Sequence, residues 1–95
     1  MKRPVIIRPR AEADVMRAWQ WYEDQRHGLG DEFLLEMRRL VDSLQTDYEQ
    51  RPIYYRDFRR LLIRRFPYNL FYRVEIERIV VFRILHASRD HRPLL

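Results

Sequence analysis

RRLLIRRFPYNLFYRVEIERIVVFRILHASRDHR, residues 59–92, is the stretch whose reading decides the fold. Leu61 and Ile63 alternate with Arg60, Leu62 and Arg64, and Pro67 then makes a turn. Leu70, Tyr72 and Val74 alternate with Phe71, Arg73 and Glu75. Successive side chains of a strand point to opposite faces, so this period of two predicts two strands with one apolar face each. After a charged turn at Ile76 and Glu77, Ile79–Leu85 is apolar on both faces except at Arg83. That pattern belongs to a strand with neighbours on both sides and cover on both faces. The tail from His86 is too short, and too interrupted by Pro93, to predict a stable helix.

Upstream of these three strands the periodicity changes. Val5-Ile6-Ile7 predicts one short strand, and Pro9 suits the first turn of a following helix, where its missing N–H is not needed. Ala11, Val15, Trp19 and Tyr22 recur at spacings of four, four and three, with Ala18 in the same stripe, so an amphipathic helix ends near Arg26. Gly28-Leu29-Gly30 breaks it, and Asp31 is the expected cap of a second helix. Phe33, Met37, Leu40 and Leu44, flanked by Leu34 and Val41, give that helix its apolar stripe. So short a connection predicts an antiparallel helix hairpin. Residues 47–57, DYEQRPIYYRD, fit neither period and read as a tyrosine-rich loop.

The expected fold is α+β in the order β-α-α-β-β-β. The N-terminal strand and helix hairpin pack on one face of a mainly antiparallel sheet, and nothing obvious covers the other, arginine-dotted face. Ninety-five residues read as one domain, 1–95, large enough to fold on a single core. With no cysteine there is no disulfide framework and no thiolate nucleophile. His27, His86 and His91 form no helical i,i+4 pair, so no metal site and no cofactor are expected. Asp90 and His91 have no nucleophile at a useful spacing. Neither a leader sequence nor a membrane span is visible, and the expected location is the cytoplasm.

Charge divides the chain. Residues 1–50 carry eight Lys/Arg and ten Asp/Glu, and residues 51–95 carry eleven Arg and four Asp/Glu. Only Lys2 among nineteen basic residues is lysine. The arginine fork pairs bidentately with carboxylates and phosphates, so the +7 half calls for an acidic partner or a polyanion.

The opening strand with Pro9 and the Ala11–Asp14 region, the helix hairpin, Arg64-Arg65-Phe66-Pro67-Tyr68-Asn69-Leu70-Phe71-Tyr72-Arg73-Val74, and Ile79–Leu85 running into His86-Ala87-Ser88-Arg89-Asp90 together resemble the ParE/RelE superfamily of type II toxin–antitoxin toxins. The ending, a strand closing on His with Arg-Asp a short gap later, is similar to the ParE-like branch. The resemblance implies a growth-inhibiting toxin held by a cognate antitoxin with an acidic C-terminal segment, and, in this branch, poisoning of DNA gyrase without enzymatic chemistry. It also implies an alternative, the ribosome-dependent mRNA endonuclease of the RelE-like branch. A third possibility is a binding module that has lost toxicity.

Metal-free RNA cleavage requires a base, an acid and cations for the phosphorane charge. Arg60, Arg89 and His86 are the candidates for those roles, and His91 is a further substitute. Against them, Asn69 stands where the nuclease resemblance implies an arginine, and no tyrosine follows Tyr72. The candidate target-binding residues are Arg60, Arg64, Arg73, Arg83, His86, Arg89 and Asp90. Arg73 and Arg83 carry a competing reading as ion pairs with Glu75 or Glu77. Trp19, Tyr22, Met37 and Phe71 are the candidate antitoxin contacts, with the two helical stripes otherwise read as core.

Overall fold

The computed structural model describes residues 2–95. Strand β1 (Val5–Ile7) leads into helix α1 (Pro9–Gln25), and α2 (Leu29–Asp47) returns antiparallel to it. Strands β2 (Ile53–Tyr55), β3 (Phe58–Ile63), β4 (Tyr68–Val74) and β5 (Ile79–His86) follow, and a 3-10 turn, Arg92–Leu94, ends the chain. The sheet order is β1-β5-β4-β3-β2. Only β1 and β5 run parallel, so the expected α+β, mainly antiparallel architecture is the one observed. The position expected for β5 also holds, since β1 and β4 flank it.

Alternation explains the core. Leu61, Ile63, Leu70, Tyr72, Ile79, Val81 and Ile84 point from one sheet face at Ala11, Ala18, Tyr22, Phe33, Met37 and Leu44 of the helix hairpin. Tyr22, Phe33, Phe66 and Tyr68 form an aromatic cluster with ring centroids 4.8 to 6.1 Å apart, mostly edge to face, the geometry that ring quadrupoles favour. The buried Tyr72 hydroxyl donates to the Tyr48 carbonyl at 2.8 Å, so the phenol enters the core without leaving a polar atom unpaired.

The hairpin turn differs in detail from its expected form. Helix α2 begins at Leu29 rather than after Asp31, and Gly28, at φ 90°, supplies the left-handed residue that reverses the chain. Gly30 lies against α1 so closely that a Cβ would meet Trp19 O at 2.7 Å, and its N–H donates to Glu23 Oε1 at 2.8 Å. Asp31 does not cap the helix. It accepts the Trp19 indole N–H at 3.0 Å, a second tie between the helices.

Two other expectations need correction. Residues 47–57 are not wholly loop, because Ile53–Tyr55 adds an edge strand along β3. Arg59 holds the segment before it by donating to the Arg51 and Glu49 carbonyls at 2.7 and 3.2 Å. Nor is the second sheet face open throughout. The tail folds back so that His91, 4 % exposed, lies 4.7 Å from the Phe71 ring, while Tyr54 packs on Phe71 from the edge strand and Phe58 meets Phe82. A register slip beside Phe71 and Tyr72 makes Phe82 the extra residue of a bulge in β5.

Candidate functional site

Parallel pairing between β1 and β5 stops at Ile7 and Val81, and the chain turns away into α1. Beyond that point the edge of β5 has no strand neighbour to take its amides. The second turn of α1 brings Asp14 to the gap. Its carboxylate, 4 % exposed, accepts the Ile84 N–H at 3.0 Å and both arms of the Arg83 guanidinium, Nε at 2.8 and Nη2 at 3.0 Å. Arg17 shares Oδ1 at 2.7 Å. The Asp14 hydrogen bonds raise the Arg83 pKa above its ordinary value and outweigh burial, which acts the other way. Arg83 is therefore an internal staple. It is neither a target-facing residue nor the partner of Glu75 or Glu77.

Above this staple lies a groove of about 430 Å³, walled by α1 on one side and by the end of β5 and the turn after it on the other. Arg17, Trp21, Tyr68, His86 and Arg89 line it. Tyr68 and His86 face each other across β4 and β5, with ring centroids 5.2 Å apart. The Ser88 N–H donates to His86 Nδ1 at 3.1 Å, and Ser88 Oγ lies 2.7 Å from the same nitrogen, so the neutral ring carries its proton on Nε2. Burial pushes the Tyr68 phenol pKa up, against a smaller opposing effect of Arg89. Burial likewise raises that of Tyr22 beneath it. Both phenols thus stay neutral donors at physiological pH. Trp21 is 56 % exposed and meets Tyr22 edge-on at 5.1 Å.

The remaining expected target contacts scatter. Arg60 is exposed on the opposite sheet face, its guanidinium 4.2 Å over the Tyr54 ring. Arg64 is exposed in the β3–β4 turn. Arg73 is half-buried and pairs with Glu75 at 3.0 Å, the competing reading of that residue, with Asp57 at 3.9 Å. Asp90 lies exposed beside Arg92 at 3.5 Å. Only His86 and Arg89 come together. The three residues that RNA cleavage would need are thereby divided between two faces, because Arg60 shares the side of Phe71 whereas His86 shares that of Ile84 and Tyr68. The candidate substitute, His91, is buried and its Nε2 meets the His86 carbonyl at 2.9 Å. Among the described residues no cluster of His, Asp and Glu could hold a metal ion.

Of the expected antitoxin contacts, Tyr22, Met37 and Phe71 are at most 7 % exposed and so belong to the interior, and Trp19 is half-buried. The hairpin exposes Met16, Trp21 and Leu35 instead, at 58, 56 and 54 %. Beside Met16, the residues Ile7, Val15, Leu34 and Val41 line a second, apolar groove of about 340 Å³. The signal for these positions was present in the sequence. Met16, Trp21 and Leu35 are large apolar residues that fall outside the two core stripes, and a helix face has no internal use for them.

A family model described as "ParE toxin of type II toxin-antitoxin system, parDE" matches residues 5–91. Among solved structures, a chain described as "Chromosomal ParDE TA system from P. aeruginosa" is similar with a TM-score of 0.83 at 21 % identity. The match covers 92 % of this chain and 98 % of that one, and at such identity it is a likeness of fold. No curated protein matches.

Proposed function

The chain belongs to the ParE toxin family of type II toxin–antitoxin systems, and from that membership we propose that it arrests growth by binding and poisoning DNA gyrase, until a cognate antitoxin neutralises it. One observation carries the choice between a protein-binding poison and a nuclease. His86 and Arg89 line the helix-side groove, Arg60 lies on the opposite face of the sheet, and His91 is buried. A phosphodiester cannot touch all of them at once, so general acid, general base and charge stabilisation have no common centre. The groove residues remain free to contact a protein surface, and Trp, Tyr and Arg are the side chains that dominate such contacts. We assign target contact to His86 and Arg89, with Arg60 and Arg64 as outlying cations.

For neutralisation, the apolar groove flanked by Met16 and Leu34 fits the nonpolar face of an amphipathic helix, and an acidic antitoxin segment complements the basic second half. No helix among the described residues is long and apolar enough to cross a membrane, and the proposed place of action is the cytoplasm, where gyrase works. The shared core of helix hairpin and sheet supports taking residues 1–95 as one toxin domain.

A supercoiling assay tests the proposal. Purified toxin is expected to block gyrase, and added antitoxin to restore supercoiling. Unaffected gyrase together with codon-spaced mRNA cuts in expressing cells assigns the nuclease instead. Harmless expression without antitoxin assigns a module that has lost toxicity.

A further inference from the structure

The groove beside the Asp14–Arg83 staple holds more positive charge than its own residues balance. Two guanidinium groups, Arg17 and Arg89, line it, and Asp14 is the one carboxylate in its wall. That carboxylate is already saturated by Arg83 and the Ile84 amide. Arg17, 68 % exposed along its side chain, has only a shared oxygen of Asp14. Arg89 is exposed and makes no ion pair among the described residues. The other polar groups are donors as well. His86 carries its proton on Nε2, and the Tyr68 phenol stays protonated. A concave site with one unpaired fork, a second held by a single shared oxygen, and further donors is complementary to an anion.

We propose that this groove receives the carboxylate of a Glu or Asp side chain on a protein partner, held between Arg17 and Arg89, with the neighbouring part of the partner chain against Trp21. This rests on the reading of the protein as a poison that works by protein contact and names the chemistry of that contact. Three features select an acidic side chain over a nucleotide phosphate. Neither glycine of the chain lines the groove, so no tight loop of backbone amides is present to cradle a phosphate. The two cations, Arg89 unpaired and Arg17 sharing one Asp14 oxygen, come from different elements, the turn after β5 and α1, as suits the two oxygens of one planar carboxylate. Finally, Ala18, Trp21 and Leu85 make part of the wall apolar, which suits the methylenes and neighbouring side chains of a peptide.

The test uses the purified full chain and three probes: the peptide acetyl-Leu-Glu-Leu-amide, its Gln counterpart, and adenosine monophosphate. Binding is followed by amide and indole NMR shifts. Trp19 serves as an internal reference because its indole N–H is already engaged by Asp31. The expected result is a saturable shift of the Trp21 indole with the Glu peptide. The affinity should drop about tenfold or more with the Gln peptide and in Arg89→Gln and Arg17→Gln, the effect of losing one charge-assisted contact. Absence of saturation, equal binding of both peptides, unchanged affinity in both arginine variants, or tighter binding of adenosine monophosphate overturns the proposal. These outcomes are independent of gyrase. A supercoiling assay that fails while the peptide binds as expected removes the choice of target and leaves the site standing.

Discussion

Asp14 and Arg83, 69 residues apart in the chain, meet as a buried fork at the point where β1 stops running beside β5. The carboxylate does there what another strand residue would have done, accepting the Ile84 amide, and the guanidinium neutralises the charge this brings inside. The pair thereby joins α1 to β5, and its Asp14 forms part of the wall of the candidate groove.

Breaking one side of this pair is expected to cost more than removing both. Asp14→Ala leaves a buried cation and an orphaned amide, a loss of about 3–5 kcal/mol. The double variant Asp14→Leu/Arg83→Met is expected to regain a large part of that, since no uncompensated charge is left inside. Urea denaturation of the single and double variants measures the coupling. Additive losses would show the pair to be energetically idle.

Arg83→Gln and Arg89→Gln are both expected to weaken gyrase inhibition, for different reasons. Arg83→Gln loses it with the fold, visible as a lowered melting temperature. Arg89→Gln should keep stability within about 0.5 kcal/mol, as for an exposed substitution away from structural contacts. Its inhibition should fall by about tenfold or more, the loss of one charge-assisted contact. Circular dichroism beside the supercoiling assay separates the two.

Gly30→Ala sets helix propensity against a steric clash. Alanine gains up to about 1 kcal/mol within a helix. The added methyl, however, would lie 2.7 Å from Trp19 O and 2.8 Å from Trp19 Cδ1, and the backbone oxygen cannot swing aside. The clash wins, and a net destabilisation of about 1–3 kcal/mol is expected from overpacking. Thermal melts compare the variant with the parent chain.

Acid should weaken the fold through two half-buried surface carboxylates. Hydrogen bonds from Arg65 and then Arg26 hold the Glu32 pKa below its ordinary value, and those from Arg78 and then Arg73 do the same at Glu75. A depressed folded-state pKa means stability that is present above the unfolded value, about 4.3, and is lost as pH falls toward the folded one. Urea midpoints should fall across that window, less steeply in Glu32→Gln and in high salt, because the pairs are exposed to screening.

Arg56 is the one residue other than glycine with positive φ among the described residues, at 54°, in the turn between β2 and β3. A Cβ in that region costs about 1 kcal/mol, so Arg56→Gly is expected to raise the melting temperature slightly, and a lowered one would show that the ring contact with Tyr55, at 5.2 Å, outweighs the strain.

The alternations in residues 59–85 and the two helical stripes by themselves determined the helix hairpin, the three long strands and the main core, because periods of two and 3.6 record which side of each element faces inward. The same patterns could not say which polar residues the packing would take in. Arg83 looks in sequence like any other arginine dotted along a strand. Its burial depends on where β1 ends and on which turn of α1 passes by, and Asp14 is 69 residues away. Residues 53–55 became a strand only because β3 offered an edge, as a three-residue run carries too short a period to read. His91 is buried because the tail folds back onto Phe71, a contact without local signature. Sequence thus determined what the main elements are, whereas tertiary structure decided which charges are spent inside the fold and which, like Arg89, remain for a partner.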